Sequence, residues 1–192
     1  MSEHLPVVAS ETLIDALRVK LDLPTFVALY DKLDSLTRIT TAAKALLIAY
    51  ALEQGISEYS VFEVLVNRIA GGDGSARAYG FTRAREIVLV ARRLGSATLE
   101  EIVRNGGMAF EQLYELAHVK SETARMSIAG DPQVYELPGV EIGARANDLS
   151  PADYVRKRVL ARLRYALEQA HKYDIGAREL CALMRECGYE IC

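Results

Sequence analysis

The chain has 192 residues, of which 51% are hydrophobic and 26% are charged, a balance typical of packed globular proteins. The formal net charge of -3 excludes binding to nucleic acid through an overall basic field, so any such contact needs a local patch. No signal-peptide pattern opens the sequence, and the longest apolar run, residues 45–52, is too short to cross a bilayer. We therefore expect a cytoplasmic protein without a membrane partner.

Helical patterns fill the first predicted region, residues 1–71. Apolar residues at helical spacing predict a helix at about residues 12–21, and Pro24 suits the first turn of the next one. A third helix is expected from Thr40 to Gln54, where alanine and leucine lie on nearly every side, and Gly55 ends it. This composition predicts a central core helix.

Glycines and capping residues mark further boundaries. The stretch Gly71–Ser75 is predicted to be a linker. A phosphate-binding loop would need a strand before it and a Gly-Lys-Ser/Thr sequence after it, and neither pattern is present. A second region, 81–130, comes next. In it Thr82 is the expected cap of one helix and Gly95 its end, and Thr98 is expected to cap the following helix.

Residues 150–192 form the third predicted region, a C-terminal helical pair. The Ser-Pro-x-Asp sequence at 150–153 is a strong signature of a helix start. The helix from there to about His171 has one apolar face, formed by Val155, Val159, Leu163, Ala166 and Ala170. Before it, residues 134–142 alternate around a Pro-Gly pair, which predicts one short β-hairpin or an extended loop. The expected fold class is all-α, a multi-helix bundle with at most that one hairpin.

Titratable and sulfur-containing side chains form no pattern that indicates catalysis or metal binding. The three cysteines lie in the last dozen residues without a Cys-x-x-Cys pair. His4, His118 and His171 have no second histidine or cysteine at helical spacing. No nucleophile elbow or His-Glu-x-x-His sequence occurs. We expect no catalytic residues, no metal site and no cofactor, and hence a protein that is not an enzyme.

A helix-turn-helix motif reads DNA with a second helix whose short polar or basic side chains reach base edges in the major groove. Two stretches fit part of this pattern. In the first, Ala51 to Val64, the acidic Glu58 and Glu63 would face the phosphates, so core packing is favoured there. The second stretch, 113–127, has the required phosphate- and base-contacting chemistry in and just before its second helix: Lys120, Ser121, Thr123 and Arg125.

Two family resemblances overlap in this part of the sequence. The segment from Leu116 to Arg125 resembles the DNA-reading motif of lac-repressor-type regulators, with departures at Tyr114, where a small residue is usual, and at His118, where glycine is usual. A wider pattern over 81–128, with an arginine-rich apolar helix, a capped Leu-Glu-Glu helix and a Phe-x-x-Leu-Tyr-Glu-Leu-Ala sequence, resembles the flagellar master-regulator D subunit and related regulators of mobile elements. The wider resemblance implies an all-helical transcriptional regulator that oligomerises and needs a partner subunit at promoters, and both resemblances point toward transcription.

Charge is unevenly distributed along the chain. Residues 1–74 carry six basic and ten acidic side chains, whereas residues 151–172 carry six basic and two acidic ones. The basic side chains of this C-terminal helix include three expected to follow a DNA backbone: Arg156, Arg158 and Arg162. The alternative is a solvated basic face, or one that pairs with an acidic protein surface, for which the N-terminal half is a suitable counterpart.

The favoured function is therefore a DNA-associated transcriptional regulator, of the kind found in mobile elements and phages. It would act as a homo-oligomer or with a partner regulatory subunit. The alternative is a helical protein-interaction or assembly module that binds no nucleic acid. The polar second helix at 120–127 favours the regulator, and the acidic net charge and long amphipathic helix at 151–171 favour the module.

Overall fold

The computed structural model describes residues 7–33, 38–69, 77–173 and 175–186. These ranges contain ten α-helices and one 3-10 helix, and no residue in them belongs to a β-strand. The α-helices are α1 (Val7–Leu17), α2 (Leu23–Lys32), α3 (Arg38–Glu53), α4 (Glu58–Ile69), α5 (Arg77–Arg104), α6 (Phe110–Ala117), α7 (Glu122–Ala129), α8 (Gly139–Ala146), α9 (Pro151–Lys172) and α10 (Ala177–Glu186). The all-α fold class is confirmed.

Contacts divide the chain into two compact units. The first unit covers residues 1–149 and contains α1 to α8, and the second covers residues 150–192 and contains α9 and α10. The two regions expected on either side of the glycine-rich linker belong to the same unit, because α3 and α4 pack on α5. The linker itself, Gly71–Ser75, lies outside the described residues, as do His4, Cys187 and Cys192.

Helix α3 forms the centre of the first unit. Residues 45–51 of this helix are all buried, and α1, α2, α4, α5 and α6 pack against it. Burial on every side requires the uniformly apolar composition that the sequence shows. After α3, Gly55 has a φ of 90°, a conformation that favours glycine and ends the helix. The predicted core helix and its end are both confirmed.

Helix α5 is interrupted at Gly95, where φ is 69° and ψ is 168°. The backbone amide of Ser96, which has lost its helical partner there, donates to Oε1 of Glu53 on α3 at 3.0 Å. The predicted helix end at Gly95 is therefore confirmed. The cap expected at Thr98 is wrong, because helical residues resume directly after the glycine and the Thr98 hydroxyl instead donates to the sulfur of Met126 at 3.2 Å.

The cap expected at Thr82 is also wrong. Helix α5 already begins at Arg77, so Thr82 lies inside its second turn. Gly80 and Ala84, one turn apart, are both buried and continue the packed face of the helix through this position. Tertiary packing thus outweighs the local preference of threonine for a helix start.

Residues 134–142 do not form the predicted hairpin. They are split between the 3-10 helix Pro132–Glu136 and the start of α8. The buried Gln112 of α6 donates from Nε2 to the carbonyl oxygens of Tyr135, at 3.1 Å, and Leu137, at 2.7 Å. The Gln112 side chain thus binds carbonyl groups that a paired β-strand would otherwise bind. The hairpin predicted from the alternating pattern is therefore wrong.

Helix α9 begins where the sequence predicts a helix start. The Ser150 hydroxyl accepts a hydrogen bond from the backbone amide of Asp153 at 3.1 Å and caps α9. Helix α9 then runs for 22 residues, and α10 follows after a short connection. The predicted start of the C-terminal helix is confirmed.

Candidate interaction surfaces

Helices α6 and α7 are joined by four residues, 118–121, and pack against each other. Leu116 and Val119 near the turn and Ile128 on α7 are buried, which fixes the second helix on the first. His118 has a φ of -86°, so the turn has no left-handed residue at this position and does not require the glycine usual in such motifs. The ring of Tyr114 packs beside His118, with centroids 4.4 Å apart. A short turn of this length is typical of helix-turn-helix arrangements.

The four side chains predicted to contact DNA here occupy different environments. Lys120, Ser121 and Thr123 are exposed, and the Ser121 hydroxyl caps α7 by accepting from the amide of Ala124. Arg125 is half-buried, and its Nη1 donates to the carbonyl oxygen of Val119 at 2.7 Å. Its Nε is buried without a hydrogen-bond partner in the described residues. Arg125 therefore holds the turn together and would have to leave it to contact DNA.

Helix α7 and the turn before it have a net charge of only +1, from Lys120, Glu122 and Arg125. The exposed Lys120 lies two positions before Glu122, which is exposed in the first turn of the helix. The charges of Lys120 and Glu122 offset each other and leave that of Arg125, whereas affinity for a phosphate backbone grows with the number of available cations. Any DNA contact by α7 therefore depends on hydrogen bonds more than on net charge.

The basic side chains of α9 lie in the second unit. Arg156 and Arg162 are exposed, and neither forms an ion pair with a residue in the described ranges. The guanidinium carbon of Arg158 lies 5.7 Å from the centroid of the Tyr154 ring. The cations expected from the sequence are thus present on an exposed helix, with a net charge of +4 over 151–172.

Helix α9 also exposes an apolar stripe. Five aliphatic side chains that are between 43% and 57% exposed form this stripe: Val155, Val159, Leu160, Leu163 and Leu167. Val155, Val159, Leu163 and Leu167 follow one another at intervals of four residues, and Leu160 lies three residues before Leu163. All five therefore lie on one side of the helix. The sequence predicts three of these positions, Val155, Val159 and Leu163, but not Leu160 or Leu167, and the pattern does not show that the face is exposed. A contiguous apolar face that is half exposed is a mark of an interaction site.

A polar network ties α1 and α3 to α5 in the first unit. The Tyr50 hydroxyl donates to Oε1 of Glu100 at 2.6 Å, and Nη2 of Arg104 donates to Oε2 at 3.0 Å. Arg18 donates to the same carboxylate, and Arg104 also contacts Glu11 at 2.7 Å. Burial raises the pKa of Glu100, but the hydrogen bonds from Tyr50, Arg18 and Arg104 outweigh it and bring the pKa below its ordinary value.

This network has a structural rather than a chemical character. Burial and the hydrogen bond to Glu100 raise the pKa of Tyr50 to about 12, so the phenol stays protonated and keeps donating. Each of its charged groups already has a partner within the first unit. Among the described residues no cluster of three or more His, Cys, Asp or Glu side chains could hold a metal ion.

A groove of about 510 Å³ lies between α4 and α5. It is lined by Glu58, Tyr59, Phe62, Phe81, Thr82, Arg85 and Val88. The rings of Phe62 and Phe81 lie 5.4 Å apart, centroid to centroid. The sequence analysis missed this feature, because residues on two helices that pack together create it and no local pattern indicates their juxtaposition.

Comparison with known proteins adds no assignment: no family model, no curated protein and no solved structure matches this chain. No helix in the described part of the chain is long and apolar enough to cross a membrane. Function must therefore be argued from the three surfaces above, which are α7 with its preceding turn, the exposed faces of α9 and the α4–α5 groove.

Proposed function

We propose that this protein is a helical assembly module, in which the apolar stripe of α9 docks onto a second copy of the chain. The observation that supports this most is the exposure of five large aliphatic side chains on one helix. Burying what remains accessible of these side chains would contribute roughly 4–7 kcal/mol before the entropy cost of association. A gain of that size offsets part of the entropy cost of association, so the contacts around the stripe must supply the rest.

Charge favours one part of the second copy as the docking surface. Helix α9 has a net charge of +4, so two copies of it would repel each other when paired side by side. Residues 1–149 carry 15 basic and 20 acidic side chains, a net charge of -5. The acidic first unit of another copy is therefore the complementary partner, and α9 of one copy would contact that surface rather than α9 of the other.

The test uses two variants of α9 that introduce the same charge at different places. Leu163→Glu puts a carboxylate in the middle of the stripe, and Ala161→Glu puts one at an exposed position outside it. Light scattering after size exclusion should show a mass that rises with concentration for wild type and Ala161→Glu. Leu163→Glu should remain monomeric with an unchanged circular dichroism spectrum.

Salt identifies which surfaces meet. Added salt weakens an association between opposite charges, and it strengthens one in which two cationic helices face each other. We expect assembly to decline as salt rises from low to moderate concentration. A wild-type chain that stays monomeric at every concentration, or a Leu163→Glu variant that assembles like wild type, would refute the proposal.

A second candidate function is DNA contact by α7, as a transcriptional regulator would use it. The four-residue turn and the exposed Lys120, Ser121 and Thr123 favour it. The test is an anisotropy titration of duplex DNA at several salt concentrations, with Lys120→Ala and, as control, Lys20→Ala at another exposed site. A phosphate contact by Lys120 should lower the salt slope by about 0.9 in the first variant alone. Absence of binding at low salt, or equal behaviour of the two variants, would contradict DNA contact.

A further inference from the structure

The walls of the α4–α5 groove are aromatic and aliphatic, and they are held in place. Phe62 and Phe81 pack on each other across the two helices, and Val88 continues the apolar surface along α5. The hydroxyl of Tyr59 donates to Oε1 of Glu63 at 2.8 Å, which fixes that ring at the groove edge. A volume of about 510 Å³ lies within the range in which proteins bind small molecules.

The two charged side chains that line the groove, Glu58 and Arg85, differ in whether they have an ion-pair partner. Glu58 accepts from Nη1 of Arg92 at 3.2 Å, so its charge is balanced by a neighbour on α5. Arg85 also lines the groove, and it forms no hydrogen bond or ion pair with another residue in the described part of the chain. An unpaired guanidinium beside an apolar wall is complementary to one chemical class, an anion attached to an apolar body.

We infer that this groove binds a small organic carboxylate, with its alkyl or aryl body against Phe62 and Phe81 and its carboxylate on Arg85. A guanidinium presents paired N–H donors that match the two oxygens of a carboxylate. The apolar walls offer an uncharged body a place out of water. The assignment is independent of α9 and of α7.

Isothermal titration calorimetry of the full chain with decanoate tests this assignment. Decanoate should bind at one saturable site, and Arg85→Gln should weaken it about tenfold, the lower end for a hydrogen bond to a charged group. Decanol, which has the same chain and no charge, should bind to wild type as weakly as decanoate binds to the variant. Butanoate should bind more than about a hundredfold more weakly than decanoate, because it buries six fewer methylenes.

Two control variants locate the site. Lys120→Gln removes an exposed cation that does not line the groove, and Leu163→Glu removes the centre of the α9 stripe. Both should bind decanoate like wild type. The inference is overturned if decanoate fails to bind, if Arg85→Gln with a wild-type circular dichroism spectrum binds it unchanged, or if Leu163→Glu abolishes binding.

Discussion

Replacing Glu100 with glutamine would remove the negative charge that three side chains share while keeping the size of the residue. Its side chain is only 13% exposed, and it accepts hydrogen bonds from Tyr50, Arg18 and Arg104. A glutamine can still accept from the Tyr50 hydroxyl through its remaining carbonyl oxygen. Its amide group, however, would face the two guanidinium groups as a donor.

The cost of Glu100→Gln follows from the charge-assisted hydrogen bonds that it weakens. A hydrogen bond to a charged group contributes roughly 1.5–3 kcal/mol when buried, and the partial exposure of the arginines reduces that value. We expect the free energy of unfolding to fall by about 1–2 kcal/mol at neutral pH. Asp15→Asn is the matched control, because Asp15 contacts the same Arg18 at 3.5 Å but is 70% exposed. It should change stability by no more than about 0.5 kcal/mol.

The pH dependence of Glu100→Gln has a defined sign. Because the pKa of Glu100 is lower in the folded state than its ordinary value of 4.5, the carboxylate contributes its full stability above that pH. The contribution disappears as the pH falls through the lower folded-state pKa. Urea unfolding followed by circular dichroism should therefore show a wild-type advantage at pH 7 that shrinks in acid. Equal stability of the two chains at pH 7, or an advantage that grows in acid, would refute the reasoning.

Three further substitutions test the fold by the same unfolding assay. Gly95→Ala should lower the free energy of unfolding by roughly 1–3 kcal/mol, because the backbone there strains any residue with a Cβ. The φ of 69° and ψ of 168° cause this strain, since no atom lies within 4 Å of the added Cβ. An unchanged unfolding midpoint would contradict the kink. Gly139→Ala should cost roughly 1–3 kcal/mol for a different reason, since its Cβ would lie 2.9 Å from the carbonyl oxygen of Glu111 and force α8 away from α6. Gln112→Leu should lower the free energy of unfolding by about 3 kcal/mol or more, because it removes the hydrogen-bond partner of the Ala109 amide and of the Tyr135 and Leu137 carbonyl groups. A loss below about 1 kcal/mol would argue against these hydrogen bonds.

Local signals in the sequence predicted those parts of the fold that depend on few residues. The composition of α3, the glycines at 55 and 95 and the serine cap at 150 each determine their own backbone state. Thr82, Thr98 and the segment 134–142 were assigned wrongly because distant contacts decide them. A side chain on α6 holds the 3-10 helix, and buried neighbours carry α5 through both threonines.

The candidate surfaces were predictable to different degrees. A polar second helix at α7 and a basic α9 were evident from residue types alone. The attachment of Arg125 to Val119 depends on the path of the turn, which spacing does not specify. An apolar helix face indicates that a partner exists, but it does not say whether that partner is in the same chain. The α4–α5 groove needed the packing of Phe62 on Phe81, which only tertiary structure provides.

The central claim is that the apolar stripe of α9 is covered by another copy of the chain. Hydrogen–deuterium exchange of residues 151–172, measured at low and at high protein concentration, tests it most directly. We expect the amides around Leu163 to exchange more slowly as the concentration rises, with no such change in the Leu163→Glu variant. Exchange of α9 at one rate across the whole concentration range would contradict the account.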